Sequence, residues 1–204
     1  MTKAETDEKE LLELDPAQWG FPADAKFYKL PEVTEGERAL YTRSKWPAGP
    51  WHKEPMDQIV WNDPETGFNC IIWRSFMGSW CGYVGVAEKH PAFGKDYNSV
   101  DVNVHGGLTF GNYRDRFELA LWWLGFDCNH YMDLAPGMLS LERHMLAKDN
   151  DTSLWTRHKE YDPETGAIDR GSELTEERYR DVPYVRAEVE SLAKQLKEIQ
   201  DGAS

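Results

Sequence analysis

The stretch QIVWNDPETGFNCIIWRSFMGSWCGYVGV, residues 58–86, decides the fold. Three runs within it, Gln58–Trp61, Phe68–Ser75 and Trp80–Val86, are rich in β-branched and aromatic residues, which suit a pleated, half-buried surface. Between the first two stands Asn62-Asp63-Pro64-Glu65-Thr66-Gly67: proline fixes φ, aspartate bonds neighbouring backbone, and glycine takes a left-handed conformation cheaply. Met77-Gly78 separates the second run from the third. Strands joined by such short connections run antiparallel, so the segment is read as an antiparallel meander.

Downstream, Val100, Val102 and Val104 alternate with Asp101, Asn103 and His105, the period of a half-buried strand. That strand is expected to end at Gly106-Gly107, with Leu108-Thr109-Phe110 continuing past the turn. FELALWWLGF, residues 117–126, is expected as a central strand. Cys128–Met138, with Pro136-Gly137, reads as a loop, and Leu139–Leu146 as a helical turn. SLWTRHKEY (153–161) and a second DPETG (162–166) read as one more strand and turn; the flanks of the two pentapeptides differ, so they do not mark a repeat.

Near the C-terminus, Val185, Val189, Leu192, Leu196 and Ile199 recur every three or four residues, with Asp181 placed as N-cap and Pro183 in the first turn. This spacing predicts an amphipathic helix of about four turns, its apolar stripe docked on the sheet. In the other direction, Pro16 to Pro55 is broken by repeated prolines with Trp19, Phe21, Phe27, Tyr28, Trp46 and Trp51 among them, an irregular arm laid over the core. Residues 1–15 form an acidic segment, with a short helix expected ahead of Pro16. The result is an α+β fold: a mixed, mainly antiparallel sheet packed by a C-terminal amphipathic helix, with a Pro/Trp-rich N-terminal arm. Residues 16–204 are expected to be a single domain, because two domains in 204 residues would each be small.

Thirty-six acidic residues against 23 basic ones give a formal charge of -13, which repels nucleic-acid backbones and anionic lipid; direct nucleic-acid binding is not expected. A basic host protein is a compatible partner. Met1–Leu14 lacks the basic-then-apolar order of a signal peptide, and no window reaches the roughly 18 apolar residues of a membrane span, so a cytoplasmic setting is expected. Cys70, Cys81 and Cys128 are too sparse for a disulfide scaffold and are read as reduced thiols.

Chemistry concentrates where polar groups follow apolar strands. In Asp127-Cys128-Asn129-His130-Tyr131-Met132-Asp133, carboxylates, a thiol and an imidazole fall within one short segment. Cys128, His130 and Asp133 are the candidate ligands of a divalent metal, with His105 as a further donor. The same groups in turn-capping and packing roles make an ordinary loop. Alternatively, Cys81 would act as nucleophile with His105 or His130 as base. A ligand pocket without catalysis is assigned to Tyr83, Asp101, Asn103, Gly106, Gly107 and Thr109. His52, His144 and His158 are read as surface residues and His90 as a turn residue. Neither a nucleophile elbow nor a phosphate-binding loop motif occurs.

CGYVGV (81–86), His90-Pro91, Gly94-Lys95-Asp96-Tyr97, VHGGLTF (104–110), WWLGFDCNH (122–130) with Asp133, and YRDVPYVRAEVESLAKQL (179–196) together resemble a family of small uncharacterised proteins encoded by bacteriophages and bacteria. The resemblance implies a phage accessory role in a bacterial cytoplasm. It marks His90, His105, Asp127, Cys128, His130 and Asp133 without assigning them roles. The leading expectation is a small hydrolase of a polar or nucleotide-like molecule, with His105 and His130 as acid/base groups and Asp127 and Asp133 as their carboxylate partners. The alternative is a non-catalytic phage protein, either a small-ligand sponge or an acidic inhibitor of a basic host partner.

Overall fold

Asp63 closes the first turn of the meander. Its N–H donates to Phe68 O at 2.8 Å, its carboxylate accepts from Thr66 N and Oγ1, and Gly67, at φ 74°, donates to Asp63 O. A computed structural model describes residues 9–32, 35–113, 120–149, 167–169 and 176–203. Among these, seven strands form one sheet: β1 (Glu10–Leu12), β2 (Lys26–Lys29), β3 (Gln58–Asn62), β4 (Asn69–Arg74), β5 (Trp80–Val86), β6 (Phe110–Tyr113) and β7 (Trp122–Asp127). Their order is β1-β2-β3-β4-β5-β7-β6, and every pairing is antiparallel. Helix α1 (Pro136–Asp149), a second antiparallel pair, β8 (Ala167–Asp169) with β9 (Glu176–Arg178), and helix α2 (Val182–Gly202) are the other strands and α-helices described, beside five short 3-10 helices, four of them in the arm. The fold is α+β.

α2 begins where the sequence places it, with Asp181 accepting from Tyr184 N at 3.0 Å and Pro183 in the first turn. Val185, Val189, Leu192 and Leu196 are fully buried against β4 and β5, each burial being worth about 2 kcal/mol. Gly82 permits the close approach: a Cβ there would sit 2.4 Å from Val189 Cγ2. By strand alternation Trp80, Val84 and Val86 share the α2 face, whereas Cys81 and Tyr83 join Ile71 and Trp123 in a second apolar cluster on the opposite face.

A buried polar network ties the arm to this sheet and helix. Arg74 pairs with Glu54 at 2.9 Å and donates to Tyr179 Oη at 2.6 Å; Tyr179 in turn donates to Glu54 Oε2. Glu54 also accepts from Trp80 Nε1 and from Val182 N in the first turn of α2. Arg43 bonds Asp57 Oδ1 and the carbonyls of Trp51 and Glu54. Each charge is thus met by several partners, the condition under which buried ions are tolerated.

Four expectations need correction. Residues 10–12 are an edge strand and not a helix, because Leu11 pairs with Tyr28 of β2, a strand that the proline-broken arm conceals; residues 1–8 lie outside the described residues. The 100–105 segment has the burial of a strand, with Val100 and Val104 buried, but no ladder. Its backbone is satisfied by α2 side chains: Asn103 N donates to Gln195 Oε1 at 2.7 Å, and Gln195 Nε2 donates to Asn103 O at 2.8 Å. β7 starts at Trp122 and lies next to the edge strand β6, not at the sheet centre; residues 114–119 are outside the description. The 139–146 turn is part of the longer α1. The expected strand and turn at 153–166, and His158 with them, also lie outside the described residues.

Candidate active site

Two loops and the start of α2 build the site. In the first loop, Gly107 N donates to Val104 O at 2.9 Å and closes a tight turn in which Gly106 has φ 65° and Gly107 φ 84°. Glycine is required at 106 for a second reason: a Cβ there would lie 2.1 Å from His130 Cε1. The backbone N–H of His105 donates to Glu188 Oε2 of α2 at 2.8 Å. With buried Val104 behind it, His105 is held along the helix.

The second loop leaves β7. Cys128 N donates to Trp80 O, Asp133 N to His130 O, and Leu134 N to Arg178 O, while Arg178 N donates to Met132 O. This stitching to the β9 edge sets Asp133 beside Arg180 and beneath His105.

Asp133 is the hub. Its side chain is 1% exposed, yet its oxygens accept from His105 Nε2 at 2.7 Å, His130 N at 3.0 Å and Arg180 Nε at 2.8 Å. Burial pushes its carboxyl pKa up, but the bonds from His105, Arg180 and the His130 N–H outweigh burial and hold it well below the usual carboxylate range. The other ring nitrogen of His105, Nδ1, lies 2.9 Å from Tyr184 Oη. Because an ionised carboxylate only accepts, Nε2 carries the His105 proton and Nδ1 is the acceptor for the Tyr184 hydroxyl. Burial, and then Glu188, raise the Tyr184 pKa, so the phenol stays protonated. The rings of His105 and His130 are 5.3 Å apart. His130 Nδ1 is 3.4 Å from Asp133 Oδ2 but makes no hydrogen bond, although the atom is buried.

Of the residues singled out from sequence, His105, Gly106, His130 and Asp133 come together. Asp127 does not join them; it accepts from Thr109 Oγ1 at 2.8 Å and from Asn129 N. Cys128 is buried in the main core, and burial, followed by the nearby Asp133 charge, pushes its thiol pKa far up. Among the described residues the donor group within mutual reach is His105, His130 and Asp133, whose ligand atoms lie within 4.8 Å of one another; Cys128 stays outside it. Tyr83 packs edge-on to Phe110 on the sheet face away from α2, and Cys81 shares that face. Asp101 and Thr109 are exposed, and Asn103 is bonded through its backbone to Gln195. The proposed pocket residues therefore do not converge on one cavity wall, Gly107 contributing only to the turn.

Sequence reading missed Arg180, Tyr184 and Glu188. Tyr184 and Glu188, four apart, lie along one side of the first turns of α2, and Arg180 directly precedes the Asp181 N-cap. That repeat of polar and aromatic residues was the available signal. His52 and His144 are exposed, as expected. His90 is in a turn but buried: Ala92 N donates to its Nδ1, and its Nε2 donates to Leu196 O at 2.9 Å.

No protein-family model, curated protein or solved structure matches the chain. Among the described residues no helix is long and apolar enough to cross a membrane.

Proposed function

We propose that the chain is a phage accessory enzyme, a small hydrolase of a polar, nucleotide-like molecule, with His105 and His130 as acid/base groups oriented by Asp133. The supporting observation is the buried Asp133 carboxylate on His105 Nε2 at 2.7 Å, the carboxylate–imidazole relation that fixes a tautomer and stabilises the imidazolium once a proton arrives. His105 then has its lone pair on Nδ1, directed at the Tyr184 hydroxyl, and takes the role of base toward a water or hydroxyl joining or replacing that group. His130, 36% exposed, is the imidazole that solvent reaches and is assigned proton delivery to the leaving group. Arg180 spends Nε on Asp133 and keeps 25% of its side chain exposed, so its outer N–H groups are suited to an anionic substrate oxygen.

Liquid chromatography with mass detection of nucleoside mono-, di- and triphosphates and cyclic nucleotides incubated with the protein tests this reading. Hydrolysis of at least one, lost in His105→Asn, is expected; no turnover across the panel, or full turnover in that variant, contradicts it. A non-catalytic ligand binder using the same cluster is the competing reading, because both ring nitrogens of His105 already have protein partners. It predicts saturable binding without product.

A further inference from the structure

We infer that His105 Nε2, His130 Nδ1 and Asp133 Oδ2 form a binding site for a divalent transition metal, with zinc as the reference ion. The inference deepens the hydrolase reading by naming a cofactor for the same site, and it revises the roles given there: with an ion bound, His105 and His130 would serve as ligands in place of base and acid, and the ion would supply the activation of water. Two imidazoles and one carboxylate are borderline donors that suit first-row divalent ions. Their ligand atoms lie within 4.8 Å of one another.

The unbonded nitrogen of His130 is the second observation. Nδ1 is buried and has no hydrogen-bond partner, an uncommon condition for a polar atom. It sits 3.4 Å from Asp133 Oδ2. Ligands about 2.1 Å from a tetrahedral zinc are separated by about 3.4 Å, so this edge of the coordination polyhedron is already set. The His105 edge, at 2.7 Å, is that of a hydrogen bond and must open by about 0.7 Å to reach the same length.

The surroundings match what metal ligands need. A ligating histidine is oriented by a partner on its other nitrogen, and a ligating carboxylate by a bond to its free oxygen. Tyr184 Oη occupies the first position, at 2.9 Å from Nδ1, and Arg180 Nε the second, at 2.8 Å from Oδ1. Metal binding moves the His105 ring proton from Nε2 to Nδ1, and Tyr184 changes from donor to acceptor. No proton need leave the protein. The positive charge of Arg180 opposes the ion, while the Glu188 carboxylate, bonded to the His105 N–H, offsets part of it. The partly exposed His130 flank gives the ion access.

The test is calorimetric titration of the chelator-stripped full chain with zinc chloride, with nitrogen-15 NMR of the His105 ring. One equivalent should bind, at least tenfold more weakly in His130→Ala and Asp133→Asn. Tyr184→Phe, which keeps all three ligands, should weaken binding about 10- to 100-fold. On saturation the protonated ring nitrogen of His105 should change from Nε2 to Nδ1. Circular dichroism verifies that each variant is folded; His130→Ala is the safest because its Nδ1 has no hydrogen-bond partner among the described residues and its side chain is 36% exposed. Substoichiometric binding, wild-type zinc affinity in both ligand variants, or an unchanged His105 tautomer overturns the site. Stoichiometric zinc without turnover supports the metal and retires the hydrolase; turnover by zinc-free protein that binds no zinc does the reverse.

Discussion

Nε2 of His105 and Oδ2 of Asp133 are 2.7 Å apart, although the two residues belong to different loops and each is fixed separately to the α2 end of the molecule. Asp133 also supports the loop itself, through His130 N and Arg180 Nε. Asp133→Ala should therefore cost about 3 kcal/mol of stability, measured by urea unfolding. A loss under 1 kcal/mol would mean that water or another group replaces the carboxylate.

Gly106→Ala combines two penalties, a left-handed backbone at φ 65° and a Cβ driven into the His130 ring. Gly67→Ala isolates the first, since at φ 74° its Cβ would meet nothing within 4 Å. The Gly67 change should cost about 1–2 kcal/mol. The Gly106 change should cost more and shift the His130 ring resonances. Equal costs with undisturbed His130 signals would refute the contact.

His90 supplies the pH dependence. Burial lowers its pKa below the ordinary 6.5, outweighing the bond to Leu196 O, which by itself favours the charged ring. The unfolded chain takes up a proton first as pH falls. The His90 contribution is therefore complete above pH 6.5 and is lost progressively below it, until the folded ring also protonates. Stability measured from pH 7.5 to 5 should fall, and the fall should shrink in His90→Gln. An identical slope in that variant would exclude His90 as the cause.

Arg74 and Glu54 predict asymmetric costs. Arg74→Met leaves Glu54 charged and buried, and should destabilise by about 3–5 kcal/mol. Tyr179→Phe removes one hydroxyl that bonds both partners and should cost about 1–2 kcal/mol. A double-mutant cycle of the two should be non-additive; strict additivity would contradict a shared network.

The meander and α2 were legible because each is written in local periodicity and turn chemistry: Asp63 to Gly67 for the turn, Val185 to Leu196 for the stripe. β1 and β2 were not, because Leu11 and Tyr28 become strand residues only by pairing with each other and with β3. The Val100–Val104 alternation reported burial correctly and pairing wrongly, since the partner is the Gln195 amide. At the site, His105, His130 and Asp133 stood out as reactive side chains in short polar segments. Asp127 carried the same signal but points to Thr109, a distinction set by strand parity and loop path. Tyr184 was hidden inside a helix read for its apolar face, and Arg180 in the link just ahead of that helix's N-cap.

The central claim is that the His105–Asp133–His130 cluster performs hydrolysis and is not merely a satisfied loop. The most direct measurement is kcat/KM for a hydrolysed nucleotide, with Tm, in wild type and His130→Ala. His130 Nδ1 has no hydrogen-bond partner among the described residues and the side chain is 36% exposed, so its loss should leave Tm within about 3 °C while lowering kcat/KM about 10²- to 10⁴-fold. Unchanged kcat/KM in the folded variant, or a loss of activity that only tracks a collapse in Tm, would contradict the account.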